Sequence, residues 1–241
     1  MKLSQFKALT FDCYGTLIDW ETGIWNAFKP WVDKAGVTAG REEVLSVFGG
    51  IESGVETKEP ALNYRKVLAK VHGEVARHYG KTPDAAMAET FGNSIKDWPA
   101  FPDSVEALRY LKQHYKLIIL SNVDRASFAH SNDRLGHVFD AVVTAEDVGS
   151  YKPDLRNFEA VLRAVEGLGV KKDQILHTAQ SVFHDIVPGR AFGLATAWIN
   201  RRHDKAGSGA TPPPDPKAKP DFIFESMGAM ADAHRRETGS R

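Results

Sequence analysis

Apolar positions along the chain follow two periods. Short, nearly uninterrupted runs such as Ala8-Leu9-Thr10-Phe11 and Leu117-Ile118-Ile119-Leu120 read as buried strands. Runs of this kind predict strands at 8–11, 116–120, 141–144, 175–179, 195–199 and 221–224. After residue 103 they alternate with stretches of helical spacing at 104–114, 125–135, 155–168, 185–192 and 227–236. In the 155–168 stretch Phe158, Val161, Leu162 and Val165 share one side. Strand–helix alternation predicts an α/β fold, a Rossmann-like parallel sheet with helices on both faces.

One long interval departs from this rhythm. Between residues 18 and 98 nothing alternates like a strand. Helices are expected at 21–36, with Pro30 a candidate kink, and at 41–56, 61–79 and 84–98. The expected organisation is a core of residues 1–17 and 99–241, with an all-helical insertion at 18–98. Residues 205–220, rich in Gly, Pro, Ala and Lys, read as a surface loop.

Several polar residues stand at or just beyond strand ends, where open α/β sheets bind ligands. Asp12 closes the first strand and is followed by Cys13-Tyr14-Gly15-Thr16-Leu17. Ser121-Asn122 follows the second. Ser150-Tyr151-Lys152-Pro153-Asp154 comes after the third, and Gln180-Ser181-Val182-Phe183-His184-Asp185 after the fourth. A strand-end carboxylate is a nucleophile, a metal ligand or a solvated turn residue; a loop Lys before Pro is usually solvated, and Ser and Asn are common turn residues.

These four stretches, in this order, resemble the four motifs of the haloacid dehalogenase superfamily over roughly the first 200 residues. The resemblance implies that Asp12 is a covalent nucleophile and that Lys152 pairs with it. The helical insertion would be a cap that excludes water and selects the substrate. Phosphatases of the superfamily carry a second Asp two residues after the nucleophile, and here that position is Tyr14. They hold Mg²⁺ with paired acids in the fourth motif, where this chain has Gln180, Ser181 and one acid, Asp185. The sequence is therefore similar to the branch of 2-haloacid dehalogenases, which attack carbon without a metal. The expectation is hydrolysis of a short 2-haloalkanoic acid to a 2-hydroxy acid through an Asp12 ester, with no metal and no cofactor.

In that reading Asp185 and Lys152 position the hydrolytic water, and His184 is a candidate base whose alternative is to face away and pack. The substrate-side residues are Cys13 and Tyr14 through their N–H groups, Ser121 for the carboxylate, and Asn122 for the halide. Thr16 would orient Asp12, and Ser181 the water or Asp185. The branch also carries an Arg on an early cap helix, where this chain has Val47 or Phe48. Arg65, and less so Arg41, is the expected substitute. Phe158 and Val182 replace a Tyr and an Asn of the pattern, and Trp20, Trp25 and Phe48 either line an apolar pocket or form cap core. The alternatives are another hydrolase of the superfamily acting on a different carbon–heteroatom bond such as a strained ring amine, a phosphatase, or a non-catalytic binding protein on the same scaffold.

Charge and cysteine content narrow the partners. Lys+Arg and Asp+Glu are both 31 in 241 residues, which gives no electrostatic case for nucleic acid or an anionic membrane. A single cysteine, Cys13, allows neither an internal disulfide nor a cysteine-rich zinc site. No apolar leader or membrane-length segment is visible, so a cytoplasmic location is expected. A small-molecule haloacid is the expected partner, and a homodimer is what the resemblance allows.

Overall fold

The computed structural model describes residues 1–239. Six strands form one all-parallel sheet: β1 (Ala8–Phe11), β2 (Lys116–Ser121), β3 (Ala141–Thr144), β4 (Ile175–Ala179), β5 (Ala195–Ile199) and β6 (Phe222–Phe224). Their spatial order is β3-β2-β1-β4-β5-β6. The chain builds outward from β1 to one side, then returns and builds from β4 to the other. The switch point therefore lies at the carboxyl ends of β1 and its neighbours, the place where such sheets bind ligands.

Alternation along the strands feeds two cores. Leu9, Phe11, Leu117 and Ile119 face the larger one, and Ala8, Ile118 and Leu120 face the other. The second core is closed by Phe158, Val161 and Val165 of a helix at Leu155–Gly167. The first extends into the segment between β1 and β2, which adds no strand to the sheet. That segment holds α1 (Trp20–Ala35), α2 (Arg41–Lys58), α3 (Tyr64–His78), α4 (Ala85–Gly92) and α5 (Ser104–Leu111). The remaining helices are α6 (Arg125–Leu135), α7 (Ala145–Val148), α8 (Leu155–Gly167), α9 (Val187–Ala191) and α10 (Met227–Thr238). Among the described residues no helix is long and apolar enough to cross a membrane.

The strands fall within a residue of where the apolar runs place them, and the differences lie at helix ends. Pro30 sits inside α1 without ending it. The helix expected from residue 61 begins at Tyr64, because Asn63 caps it by accepting from Arg65 N at 3.1 Å. The stretch after β4 starts not as an α-helix at 185 but as one π-helical turn, Val182–Ile186, which runs into α9.

The 205–220 segment is not wholly a surface loop. Gly209, Ala210 and Thr211 are buried between α1, α2 and the sheet. Arg202, itself buried, ties this region down with ion pairs to Glu21 at 2.6 Å and Glu42 at 2.5 Å. Ala210 N donates to Glu21 Oε1 at 3.1 Å. Gly49 of α2 permits the contact: a Cβ there would stand 2.1 Å from the Ala210 carbonyl oxygen.

Candidate active site

Asp12 stands just past β1 with its side chain almost wholly buried. A turn at Gly15, where φ is +90°, brings Thr16 back over it. Thr16 Oγ1 donates to Asp12 Oδ2 at 2.8 Å and accepts from Gln180 N at 2.9 Å. One hydroxyl thus fixes the carboxylate and joins the β1 turn to the segment after β4. Lys152, from the loop between α7 and α8, is 2 % exposed. Its Nζ donates to Asp12 Oδ1 at 3.0 Å, Asp185 Oδ1 at 2.6 Å and Leu120 O at 3.0 Å. An ammonium has three N–H donors, and all three are committed.

Asp185 comes from the π-helical turn and is fully buried. Its Oδ1 also meets His177 Nε2 at 3.0 Å, and His177 Nδ1 meets Thr10 Oγ1 at 2.9 Å. A buried chain therefore runs Thr10, His177, Asp185, Lys152, Asp12. Its environments separate the two carboxylates. Burial alone would raise Asp185, but Lys152 and the His177 hydrogen bond outweigh it and hold the group below the usual range. Asp12 is pushed above that range, by burial first and then by the nearby Asp185 charge, which Lys152 and Thr16 only partly offset. Burial opposes the charge on Lys152, yet the two aspartates raise its pKa. The site thus pairs a well-stabilised carboxylate with a less stabilised, more basic one, the kind of separation that divides roles between two acids. Asp185 Oδ2 has no hydrogen-bond partner, and Asp185 lines the cavity.

That cavity lies between the carboxyl end of the sheet and the helices above it. The sheet side supplies Asp12, Asn122, Lys152, Gln180, Ser181, His184 and Asp185. The helical side supplies Trp20, Glu52, Glu56 and Tyr64. Its volume is about 40 Å³, room for about three waters.

The model of the haloacid dehalogenase-like hydrolases matches residues 6–193. The chain belongs to this family. It is 29 % identical to an (S)-2-haloacid dehalogenase of Pseudomonas sp. (strain YL) over 240 residues, spanning 95 % of this chain and 90 % of that one. (S)-2-haloacid dehalogenase H-109 of Pseudomonas putida is 26 % identical over 248 residues, 98 % of this chain and 96 % of that one. The fold is similar to that of the L-2-haloacid dehalogenase from Xanthobacter autotrophicus with chloropropionic acid covalently bound, at a TM-score of 0.78 and 20 % identity. That likeness covers 95 % of this chain and 98 % of the other.

Against the family's pattern, the residues picked out from the sequence divide. Asp12, Lys152, Asp185 and Thr16 meet in one hydrogen-bonded group, with Thr16 donating to Asp12. Among the described residues the N–H groups of Cys13 and Tyr14 meet no protein acceptor. Ser121 Oγ is buried and likewise unpartnered. The Tyr14 ring packs edge-on against Trp98 at 5.7 Å and its hydroxyl pairs with Ser131 at 2.9 Å, away from any leaving-group role.

Other residues take different places. The Asn122 side-chain amide is already engaged: Nδ2 donates to Lys152 O at 3.1 Å and reaches Glu56 Oε2 at 3.5 Å, and Oδ1 accepts from Lys152 N at 2.7 Å. Ser181 pairs with His184, not Asp185: its Oγ accepts from His184 N at 3.1 Å and lies 3.0 Å from Nδ1. His184 lines the cavity, and burial lowers its pKa to about 4, so the imidazole is neutral at pH 7. Trp20 lines the cavity, whereas Phe48 is fully buried core against it.

Arg65 does not reach the site. Its N-terminal position on α3 points it outward, where it is exposed and lines a surface groove with Lys66 and Glu89. Arg41 instead donates to Thr22 Oγ1 at 3.3 Å. Arg65→Ala is therefore expected to leave kcat/KM within about twofold, as for a surface residue. A tenfold loss in steady-state kinetics would return Arg65 to the site.

His177, Glu52 and Glu56 escape a strand-end search. The signals for them were in the chain. His177 interrupts the strand run Ile175-Leu176-His177-Thr178-Ala179, and a His in a buried strand needs partners. Glu52 and Glu56 continue the spacing of four set by Val44 and Phe48, on the apolar side of α2.

The residues do not fit the Mg²⁺ of the superfamily's phosphatases. Lys152 occupies the space between Asp12 and Asp185 and takes one oxygen of each. Thr16 donates to the second oxygen of Asp12. Among the described residues no three acids, histidines or cysteines are arranged to hold a metal ion. One free carboxylate oxygen, on Asp185, is a poor donor set for a hard octahedral cation.

Proposed function

We propose that this hydrolase cleaves the carbon–halogen bond of a short 2-haloalkanoic acid through an ester of Asp12, without a metal. The observation that carries the reading is the unequal carboxylate pair bridged by Lys152, with Tyr14 where a leaving-group acid would stand. Halide needs no proton to leave, so a site of this chemistry has no use for that acid. The dehalogenase relatives support it, and so does a fold relative that holds chloropropionic acid covalently.

In the first step Asp12 Oδ attacks C2, the new C–O bond forms, and halide departs with the C–X electrons. The free N–H groups of Cys13 and Tyr14 and the Ser121 hydroxyl receive the substrate carboxylate. In the second step water attacks the Asp12 carbonyl carbon. Asp185, with Oδ2 unpartnered and Oδ1 fixed by Lys152 and His177, takes the proton. The ester's C–O bond to the Asp12 carbonyl breaks, the departing alkoxide takes the proton back from Asp185, and the 2-hydroxy acid leaves with an oxygen from the protein while the second proton of the water goes to solvent and Asp12 returns to its carboxylate. Residues 18–98 act as the cap that closes over both steps, and residues 1–17 and 99–241 form the core.

Halide release from 2-fluoro-, 2-chloro- and 2-bromopropionate tests the proposal. Release is expected from at least one of them and should persist in excess EDTA, because no step uses a metal. Loss with EDTA and rescue by Mg²⁺ would move the chain to the phosphatase chemistry of its superfamily. No halide release from any of the three would sink the proposal.

A further inference from the structure

Glu52 and Glu56 lie one turn apart on α2, on one face, in the wall of the cavity opposite Asp12. Both are buried. Glu52 accepts from Tyr64 OH at 2.5 Å, and Glu56 has only the long contact from Asn122 at 3.5 Å. Among the described residues neither has a Lys or Arg within ion-pair distance. Neighbouring buried carboxylates with no counter-ion repel one another and have lost their hydration. Burial lifts Glu52 to about 7, and burial together with the Glu52 charge lifts Glu56 well above its ordinary value.

A second, independent feature of the same cavity is Asp185 Oδ2, fully buried and unpartnered. The only cationic side chain in the lining is Lys152, and its three donors are spent. The cavity wall therefore carries two buried carboxyl groups that no cationic side chain of the lining is paired with. A simple chloroacid would supply them no donor, and its halide, leaving past Asn122, would approach the Glu56 carboxylate.

We infer that the preferred substrate carries an ammonium group, which docks between Glu52 and Glu56. The inference rests on the cavity being the active site, as proposed above, and names the substrate class: short 2-substituted acids that also bear a basic nitrogen. A primary ammonium brings three donors in a small volume, matching both the carboxylate pair and the cavity. It also accounts for α2 having no Arg toward the site: a guanidinium there would occupy the position of the substrate's own cation.

The test uses non-reacting probes and needs no turnover. Binding of 4-aminobutanoate is compared with pentanoate, and 3-aminopropanoate with butanoate, by tryptophan fluorescence, since Trp20 lines the cavity. Each pair differs by an ammonium in place of a methyl. At least one amine is expected to bind about tenfold or more tighter than its methyl counterpart. In the Glu52→Gln/Glu56→Gln double variant, with melting curves confirming the fold, that preference should fall below about twofold. Equal or weaker binding of both amines, no binding of any probe, or a preference that survives in the folded double variant would overturn the inference. If the double variant does not fold, the wild-type comparison decides alone. Amine preference without halide release retires the haloacid proposal and leaves this inference standing; halide release without amine preference does the reverse.

Discussion

Asp12→Asn is expected to reduce turnover by at least about four orders of magnitude, roughly 5.5 kcal/mol of barrier, while the protein stays folded. Asn has the shape of Asp, and its oxygen can still accept from Lys152. It lacks the charge that makes a nucleophile, and its amide nitrogen cannot form the ester. The effect on stability follows from the direction of the Asp12 shift. Its folded pKa is raised, so the protonated form is favoured in the fold. That contribution is full below the unfolded pKa and is lost as pH rises through the folded value. At neutral pH an ionised Asp12 is therefore a net cost to stability, and a neutral Asn removes it. The melting temperature of the variant at pH 7 should be equal to or above that of the wild type, and halide release should be absent. Mass spectrometry of the peptide holding Asp12 excludes reversion by deamidation. Wild-type turnover in a verified preparation would remove Asp12 from the chemistry. A collapsed melting curve would mean that Asp12 is structural.

The elements that an apolar pattern can mark were the legible ones. β1, β2 and β4 are local runs of mostly apolar residues buried on both faces, so the run itself places them. Asp12, Lys152 and Asp185 were legible for a related reason: each stands at or beyond a strand end, and topology brings those ends together. What pattern could not carry was the direction of a side chain that depends on distant contacts. Arg65 looked like a cap cation, but the Asn63 cap sets the start of α3 so that Tyr64 faces inward and Arg65 outward. Glu52 and Glu56 stand on the apolar side of α2, but helix spacing alone does not say what covers that side. They are buried because α2 packs down, with Gly49 against Ala210 and Arg202 holding Glu42. That packing relies on a segment some 150 residues away, whose Gly and Pro content marks only a loop. His184 was read as a candidate base and Ser181 as orienting the water or Asp185, but the π-helical turn points them at each other. A single extra residue in a turn re-aims side chains in a way that no sequence period records.

The origin of the product oxygen separates attack by the protein from attack by water. If Asp12 forms an ester and water then attacks the Asp12 carbonyl, the new hydroxyl oxygen comes from the Asp12 carboxylate and solvent oxygen enters the protein. In a single turnover in ¹⁸O-water, with enzyme in excess, the product should be almost unlabelled and the label should appear on the peptide holding Asp12. Over many turnovers both should become labelled. A direct displacement by water, with Asp12 or Asp185 as general base, predicts the opposite: labelled product in the first turnover and none in the protein. The geometry favours the covalent route. Asp12 is the less stabilised of the two carboxylates and the more basic, and Thr16 and Lys152 hold it at the cavity wall. Asp185 is held back by Lys152 and His177, with one oxygen free to receive a proton from water. A general-base route would leave the more basic Asp12, held at the cavity wall, without a bond to form. Full labelling of the first-turnover product would refute the ester even for an enzyme that releases halide.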